Sequence, residues 1–393
     1  MNSLPPNRTH TMTEAESPAG TRRGRLLIVG ALPPPMNGMT VMTAALLGGG
    51  LEDQFDVVHL DTSDHRTVSN IGRFEATNVV LALRHAVKFA ALLRRHQPDL
   101  VHLSLSQGPP GFLRDATFLM AARVTRTPVM VHAHGADFGG FYRRSPSGLR
   151  PFMRAALAPV EDIVVLTESQ ERQFDGWAPA SARVSVIPNG VVDEWRDGTP
   201  PRSGRVGATV LYLGTLMPQK GFLDVLEAVP HVLARVPGTR FIFAGEPVWE
   251  RATVQVVKAH LAHPSVWRSV RFVGAVGPGQ RHELLEEADL LVFPPRWQEG
   301  QGLVAIEAMS AALPLVVTAS GGLAETVRNG VEGLAVPRCN PNAIADGVVR
   351  LLGDPDLRAR LGAAGRARFE AEYTIEKWQA RMQAVLSRAA CGS

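Results

Sequence analysis

EGQGLVAIEAM, residues 299–309, places two carboxylates eight positions apart across a glycine-rich turn that opens an apolar helix. The residues before it, 288–295, form an apolar run of strand length, and apolar residues recur at helical spacing after it. This pattern predicts Glu299 at the carboxyl end of a buried strand and Glu307 about two turns into the next helix. In an open α/β sheet, the crevice at such strand ends is where ligands bind.

The glycines and carboxylates of this segment suit a ligand that carries both phosphates and hydroxyl groups. Gly300 and Gly302 let backbone N–H groups approach an anion at the positive end of the helix dipole. A carboxylate such as Glu299 can accept hydrogen bonds from two sugar hydroxyls at once. Taken alone, a pair of glutamates is as often a solvated surface feature as a functional one. The surrounding sequence therefore has to decide between the two interpretations.

Length and composition indicate a globular protein of two domains. The chain has 393 residues, 45% of them hydrophobic and 20% charged, and domains commonly contain about 100–200 residues. The two cysteines, Cys339 and Cys391, lie far apart with no metal-ligand spacing around them. We therefore expect reduced thiols and no bound metal.

Nothing in the sequence predicts a membrane span or a secretion signal. No apolar run approaches the ~20 residues that a span requires. Residues 1–24 are polar, contain three prolines and lack an apolar centre, which predicts a disordered N-terminal tail. The expected location is the cytoplasm, with peripheral attachment at the inner face of the membrane as a further candidate.

Positive charge is concentrated in one stretch. Between Arg84 and Arg154, eleven Lys or Arg stand against three Asp, so this stretch carries 11 − 3 = +8 in a chain of net +4. No nucleic-acid-binding motif accompanies the cations. Apolar and aromatic residues interleave with them, which is typical of an anionic membrane surface or a lipid-phosphate acceptor. An ordinary solvated basic face fits equally well.

Alternating strand-like and helix-like segments predict two α/β units, each with a parallel sheet. The first extends over residues 25–193, a polar Pro- and Gly-containing linker over 194–208, and the second over 209–372. A helix in 373–393 is expected to pack back toward the first unit. Two such units leave a cleft between them, where substrates commonly bind.

The second unit also contains a lysine suited to phosphate. In GTLMPQKG, residues 214–221, a strand ends at Gly214 and Lys220 stands at the start of the next predicted helix. Its ammonium can meet a diphosphate there and stabilise a leaving group.

Taken with residues 299–309, this element resembles the retaining family 4 glycosyltransferases, also called glycosyl transferases group 1, from about Arg25 to Leu386. The resemblance implies the GT-B architecture of two facing Rossmann-like domains, the N-terminal one on the acceptor side and the C-terminal one binding a nucleotide sugar. It implies that Glu307 holds the nucleotide ribose and that Glu299 contacts the donor sugar. The donor-binding residues of the same segment would be Gly300, Gln301, Gly302 and Leu303.

Three further matches carry site residues. Residues 214–221 match the family's diphosphate element, with Thr215 in place of the usual arginine and Lys220 retained. The loop PPPMNGM, residues 33–39, is similar to the family's glycine-rich loop, with Gly38 retained and Asn37 in place of a glycine. VHAHGAD, residues 131–137, resembles the segment whose histidine reaches the donor sugar, here His134; on the residues alone, His134 would be a strand cap.

Two more segments resemble family features outside the reacting groups. IPNGVVD, residues 187–193, is similar to a segment at the entry to the linker, where we expect a rigid turn at the hinge. GGLAETV, residues 321–327, is similar to a stretch in which Gly321 and Gly322 would line the donor pocket. The Asp354-Pro355-Asp356 sequence is interpreted as a helix cap and not as a metal motif.

The resemblance implies transfer of a hexose from a nucleoside-diphosphate sugar to an acceptor hydroxyl, with retention and without a metal or other cofactor. The expected partners are the nucleotide sugar, a glycan or lipid-linked acceptor of cell-surface polysaccharide or glycolipid synthesis, and an anionic membrane surface, but no nucleic acid. A sugar-nucleotide epimerase and a non-catalytic sugar-nucleotide-binding protein remain open. A Rossmann oxidoreductase is disfavoured, because the first strand is followed by GALPPP, residues 30–35, and not by G-x-G-x-x-G.

Overall fold

The structure, a computed structural model, describes residues 23–34, 36–63, 76–198 and 208–391. The tail interpreted above as disordered therefore lies outside the described residues except for its last two positions. Residues 199–207 of the predicted linker also lie outside them.

The first part of the chain forms a parallel sheet of six strands, ordered β2-β1-β3-β4-β5-β6. Its elements are β1 (Gly24–Gly30), α1 (Gly38–Leu47), β2 (Phe55–Asp61), α2 (Ala76–His96), β3 (Leu100–Leu105), α3 (Pro109–Thr125), β4 (Val129–Ala133), α4 (Phe138–Arg144), α5 (Leu149–Ala156), β5 (Val160–Val165), α6 (Glu168–Glu171) and β6 (Arg183–Val186), with 3₁₀ turns at Leu51–Asp53 and Arg172–Phe174.

The second part forms another parallel sheet of six strands, ordered β12-β11-β10-β7-β8-β9. Its elements are β7 (Thr209–Leu213), a 3₁₀ turn (Pro218–Lys220), α7 (Phe222–Leu233), β8 (Arg240–Ala244), α8 (Arg251–Leu261), α9 (Pro264–Ser269), β9 (Val270–Gly274), α10 (Pro278–Glu287), β10 (Leu290–Phe293), α11 (Leu303–Ser310), β11 (Leu315–Thr318), α12 (Leu323–Thr326), β12 (Gly333–Val336), α13 (Pro341–Gly353), α14 (Pro355–Arg368), a π-helical turn (Phe369–Tyr373) and α15 (Ile375–Cys391). The predicted α/β class with two parallel sheets is confirmed.

Burial on both faces explains why the strands are continuous apolar runs. Helices cover each parallel sheet on both sides, so residues such as those of β4, β7 and β10 are buried throughout. The last helix, α15, covers the first sheet: Trp378 and Met382 belong to one buried cluster with Leu26 and Ile28 of β1.

Strand order determines which loops meet. In the second sheet β7 and β10 are hydrogen-bonded neighbours, although two strands separate them in sequence, and the order of connection reverses between them. In the first sheet the same reversal occurs between β1 and β3. Loops that leave neighbouring strands at such a switch point open a crevice for ligands. The loops after β7 and β10 carry Lys220 and Glu299, respectively.

Candidate active site

An ion pair between Lys220 and Glu299 joins the loops that follow β7 and β10. Lys220 Nζ donates a hydrogen bond to Glu299 Oε2 over 2.6 Å, and the two side chains are only 22% and 14% exposed. The ammonium lies 5.6 Å from the ring centroid of Phe293 and 5.3 Å from that of Trp297, where the aromatic faces stabilise a cation. Two residues that the sequence singled out separately thus form one partly shielded charged pair.

The position of Lys220 differs from the prediction. It ends the 3₁₀ turn before α7 and does not open the helix, because Gly221 interrupts the chain with a φ of +81°. A Cβ atom at Gly221 would lie 1.9 Å from the carbonyl oxygen of Pro294, in the loop after β10. Only glycine therefore lets the two loops approach closely enough for the ion pair to form.

Glu307 is held by a second cation that the sequence did not indicate. Arg281 of α10 donates from Nη1 to Glu307 Oε1 over 2.9 Å, and its Nη2 lies 3.5 Å from Glu194 Oε1. Burial raises the pKa of Glu307, Arg281 opposes that rise, and the negative charge of Glu194 adds to it. Glu307 lies just over one turn into α11, and not about two turns, because α11 begins at Leu303.

The loop between β10 and α11 is packed backbone to backbone against its neighbours. Gly302 adopts φ +79° at the start of α11. A Cβ atom at Gly300 would lie 2.7 Å from the carbonyl oxygen of His134, and one at Gly322 would lie 1.8 Å from the carbonyl oxygen of Gly300. Gly322 N also donates to Glu299 O over 2.9 Å. The loop carrying Glu299 is therefore fixed by contacts on both sides that only glycine permits.

Gln301 and Leu303 contact the other half of the molecule. The Oε1 of Gln301 accepts a hydrogen bond from the backbone N of Asn189 over 2.8 Å, in the segment that leaves the first sheet. A Cβ atom at Gly38 would lie 3.4 Å from Leu303 Cδ1. The structure thus brings Gly38 to the loop between β10 and α11, residues 294–302, which we call the donor loop after its predicted role, and directs the side-chain oxygen of Gln301 toward the hinge.

Thr215 lies in the same loop as Lys220. The hydroxyl of Tyr212 is 3.2 Å from Thr215 O and 3.3 Å from Lys220 O, which ties the two ends of this loop to β7. The half-buried side chain of Thr215 is therefore carried on the same short turn as the Lys220 ammonium.

Asn37 has a structural role that explains why it replaces a glycine. It is the N-cap of α1: its Oδ1 accepts hydrogen bonds from the N atoms of Met39 and Thr40, each at 3.1 Å, and its own N donates to Thr40 Oγ1. This capping box uses two of the amides that would otherwise be free at the start of α1. The sequence signal was present in Asn37 followed three residues later by Thr40.

His134 belongs to a cluster of three neighbouring rings, which we call the histidine cluster: the buried His102 of β3 and His132 of β4, and the half-buried His134. The ring centroids of His132 and His134 are 4.0 Å apart, and those of His102 and His132 are 5.7 Å apart. Burial, followed by the charge of His102, lowers the pKa of His134 to about 3, and burial lowers that of His102 to about 4. His134 is therefore a neutral imidazole at pH 7.

Two side chains that the sequence reasoning missed bridge the cleft. Glu325 of α12 accepts hydrogen bonds from the N atoms of Glu168 and Ser169, each at 2.9 Å, at the start of α6. Gln170 Nε2 donates to the carbonyl oxygens of Gly135 and Gly300 over 3.2 and 3.4 Å. Glu325 stands in the 321–327 segment quoted above, but nothing in the sequence shows which residue it meets.

The hinge segment has the close packing expected of a rigid turn. Asp193 receives two hydrogen bonds from Arg366, at 2.7 and 2.8 Å. A Cβ atom at Gly190 would lie 2.6 Å from the carbonyl oxygen of Thr374. As interpreted from the sequence, Asp354 caps a helix: its Oδ1 accepts from Leu357 N over 2.8 Å.

The described ranges contain neither a metal-binding cluster nor a helix able to span a membrane. No group of three or more His, Cys, Asp or Glu side chains in the described ranges is placed to hold a metal ion. Among the helices of the same ranges, none has the combined length and hydropathy of a membrane span.

Two family models match the chain, one for each sheet. Residues 39–190 match the glycosyl transferase 4-like domain, and residues 201–368 match the glycosyl transferases group 1 domain. The glycogen synthase of Mycobacterium tuberculosis is 34% identical over 204 residues, which cover 52% of this chain and 47% of that protein. The chain spans about half the length of this relative.

A second relative and the solved structures are similar over more of the chain. A GDP-mannose-dependent monoacylated alpha-(1-6)-phosphatidylinositol monomannoside mannosyltransferase of Corynebacterium glutamicum is 26% identical over 282 residues, 68% of this chain and 71% of that protein. Sucrose-phosphate synthase from Thermosynechococcus elongatus superposes with a TM-score of 0.74 at 18% identity, over 95% of this chain and all of the other. Anabaena HepE in complex with UDP and glucose superposes with a TM-score of 0.70 at 16% identity, over 93% of this chain and 100% of the other. These structures show that the fold is GT-B.

Proposed function

Because this chain belongs to the family 4 glycosyltransferases, the glycosyl transferases group 1, we propose that it transfers a hexose from a nucleoside-diphosphate sugar to an acceptor hydroxyl with retention. The observation that carries the proposal is the Lys220–Glu299 pair at the β7/β10 switch point. It offers a cation and a carboxylate side by side, which a ligand with a diphosphate and sugar hydroxyls requires.

The donor would lie along the loops of the second sheet. Lys220, with Thr215 on the same turn, would take the diphosphate, and Glu299 would orient the sugar hydroxyls. Glu307 would accept the ribose hydroxyls, and Arg281 supports this role because its charge favours the ionised carboxylate. Two solved structures of similar fold are complexes of Anabaena HepE with UDP or UDP-glucose, so UDP-sugars are the first donors to test.

Retention without a covalent intermediate fits the surroundings of Glu299. A carboxylate nucleophile has to be free and close to the anomeric carbon, whereas Glu299 is ion-paired to Lys220 and lies 3.4 Å from Trp297 Nε1. We propose attack on the same face as the departing diphosphate, whose oxygen takes the acceptor proton. His134, as a neutral ring at pH 7, would position the sugar and stabilise the transition state by its dipole.

We further propose that no metal ion is needed, because Lys220 supplies positive charge at the leaving group. Proton NMR of the sugar released when water replaces the acceptor tests both statements. Initial release of the same anomer as in the donor, undiminished by EDTA, is the expected result. Initial release of the opposite anomer would refute retention, and loss of activity restored by Mg²⁺ would refute metal independence. Conversion of the donor without release of diphosphate would indicate an epimerase instead.

The acceptor side motivates a lipid-linked glycan at an anionic membrane surface. Of the eleven cations between Arg84 and Arg154, nine are exposed, and α3 packs against both α2 and α5. Val80, Met120, Val124 and Phe152 are exposed on these three helices. Apolar side chains surrounded by cations bind the interface of an anionic bilayer.

Co-sedimentation with vesicles tests this membrane surface. The chain should sediment with vesicles that contain anionic lipid, remain in solution with neutral ones, and dissociate as salt rises. Val124→Glu should weaken sedimentation. Absence of binding at low salt would refute the membrane surface and leave the donor chemistry untouched. We propose that the enzyme acts at the cytoplasmic face of a membrane, in polysaccharide or glycolipid synthesis.

A further inference from the structure

A cavity of about 630 Å³ lies in the first sheet at the switch point between β1 and β3. Its walls come from the loops that leave these strands and from the facing sides of α2 and α3. The helical walls are largely apolar, with Leu81, Ala82, Leu83, Ala86 and Leu113 among the lining residues. A cavity of this size and lining holds a small molecule with a large apolar part.

The lining of the cavity extends from the neighbourhood of the candidate active site to exposed residues of α2. On one side it includes Asn37, next to Gly38 and therefore to the loop between β10 and α11, and Gln107, whose Oε1 accepts from Asp137 N over 3.0 Å; both residues are exposed. On the other side it includes Val79 and Leu83 of α2, which are 52% and 61% exposed. A molecule in the cavity would thus have one end at the cleft and the other among exposed apolar side chains.

Two buried polar atoms in the cavity wall have no partner among the described residues. They are Nδ1 of His85 on α2 and Oγ of Ser104 on β3, and the two residues are only 6% and 3% exposed. Buried polar groups in native proteins are normally hydrogen-bonded. Both residues line the cavity, so a ligand bound there would supply the missing partners once the two side chains turn toward it.

Cations outnumber carboxylates around the cavity, with Arg84, Lys88 and Arg114 against Asp61 and Asp115. Arg114 lines the cavity, and its guanidinium is ion-paired with the buried Asp115 at 2.8 Å. Burial lowers the pKa of His85, and repulsion from the three cations lowers it further, against the opposing charge of Asp61. Helix α2 contains four Lys or Arg and no carboxylate. An anionic group on the ligand would therefore be stabilised at the polar end of the cavity.

We propose that this cavity binds the lipid part of the acceptor, an acyl or isoprenyl chain joined to a phosphate. The phosphate would lie at the polar end, near Arg114, with His85 and Ser104 as hydrogen-bond partners. The chain would pass Leu83 and Leu113 to the surface, and the reacting hydroxyl would face the cleft. This inference rests on the proposed function, because it names the acceptor of that reaction.

Calorimetric titration with decyl phosphate below its micelle concentration tests the proposal, with inorganic phosphate and decanol as the two half-ligands. We expect saturable one-to-one binding of decyl phosphate, roughly tenfold tighter or more than that of either half-ligand. Inorganic phosphate binding as tightly would show a plain anion site and overturn the proposal. Absence of saturable decyl phosphate binding would also overturn it.

A matched pair of variants separates the cavity from the outer face of α2. Leu83→Glu places a carboxylate at the cavity mouth, whereas Val87→Glu makes the same change of charge one turn further along α2, at a position that is 71% exposed and outside the lining. We expect the affinity for decyl phosphate to fall roughly tenfold or more in Leu83→Glu and to stay unchanged in Val87→Glu. Equal losses would show a surface effect and contradict the proposal. Thermal unfolding of each variant without ligand checks its folding, and Leu83→Ala, with a smaller loss expected, replaces Leu83→Glu if that variant does not fold.

The donor site is measured in parallel on the wild type, by the thermal shift with nucleotide sugars. A donor shift without decyl phosphate binding would refute this inference and leave the proposed function standing. Decyl phosphate binding without any donor shift would refute the proposed function instead.

Discussion

Replacing His102 by leucine tests the electrostatics of the histidine cluster next to the candidate active site. His102 is 1% exposed, and neither ring nitrogen has a hydrogen-bond partner among the described residues. The substitution therefore removes no hydrogen bond and replaces an unpaired polar ring by an apolar side chain. At pH 7 the variant should match the wild type within about 1 kcal/mol or exceed its stability.

Acidification should distinguish the two proteins. Burial lowers the pKa of His102 from 6.5 to about 4 in the folded protein. Below pH 6.5 the unfolded chain binds a proton that the folded one does not, so stability falls as the pH decreases toward 4. The difference between the two pKa values corresponds to about 3 kcal/mol when complete and about 2 kcal/mol at pH 5. His102→Leu abolishes this loss and also the repulsion that His102 exerts on its neighbours.

Differential scanning calorimetry at pH 7 and pH 5 measures the effect, with the exposed His231→Leu of α7 as control. Between these pH values, the midpoint of the wild type should fall by roughly 4–8 °C more than that of His102→Leu. His231→Leu should follow the wild type. If the unfolding midpoints of the wild type and His102→Leu fall equally between pH 7 and pH 5, the assignment of a neutral, desolvated cluster is refuted, and with it the neutral state of His134.

Three further changes test the packing of the donor loop and the cleft. Gly322→Ala sets a Cβ atom 1.8 Å from a backbone oxygen of the donor loop and should abolish the thermal shift caused by nucleotide sugars, whereas Gly353→Ala, with open space around it, should keep the shift. Glu325→Ala removes two charge-assisted hydrogen bonds to α6, each worth about 1.5–3 kcal/mol. The cleft should therefore open and the radius of gyration in small-angle scattering should increase; an unchanged radius would contradict this. Arg281→Met removes the cation that lowers the pKa of Glu307. As the pH is lowered, the variant should therefore lose its nucleotide affinity at a higher pH than the wild type does. Identical profiles of affinity against pH would count against the role of Glu307 at the ribose.

Elements with strong apolar patterns were predictable from the sequence because they are buried on both faces. For example, apolar spacing in the sequence predicts a helix over residues 222–233, and α7 has those bounds in the structure. Strand β12 and helices α4 and α5 were missed, since they are short and α4 contains two adjacent glycines that weaken the helical pattern. Local propensity does not specify such elements, and packing against neighbours does.

The candidate site also has features that follow from local sequence pattern and features that depend on packing. Motif spacing selected Lys220, Glu299 and Glu307 as candidates. The structure brings Lys220 and Glu299 together because loops at neighbouring strand ends of a parallel sheet converge. The partners of these residues were not predictable, since they depend on how distant segments meet. Arg281 is on a helix with no distinctive pattern, and Gln301 accepts its hydrogen bond from Asn189, 112 residues away. Such contacts are set by the packing of the two sheets and leave no local signal.

Binding of nucleotide sugars tests the central claim most directly. Thermal shift and diphosphate release should be recorded with UDP-, GDP- and ADP-sugars for the wild type, Lys220→Ala and Glu307→Ala, with the exposed Lys258→Ala and Glu283→Ala as matched controls. We expect one donor to stabilise the wild type and both controls. Lys220→Ala and Glu307→Ala should lose this stabilisation, and slow diphosphate release should disappear with it. Stabilisation that survives in Lys220→Ala and Glu307→Ala, or no stabilisation by any donor, would contradict the central claim.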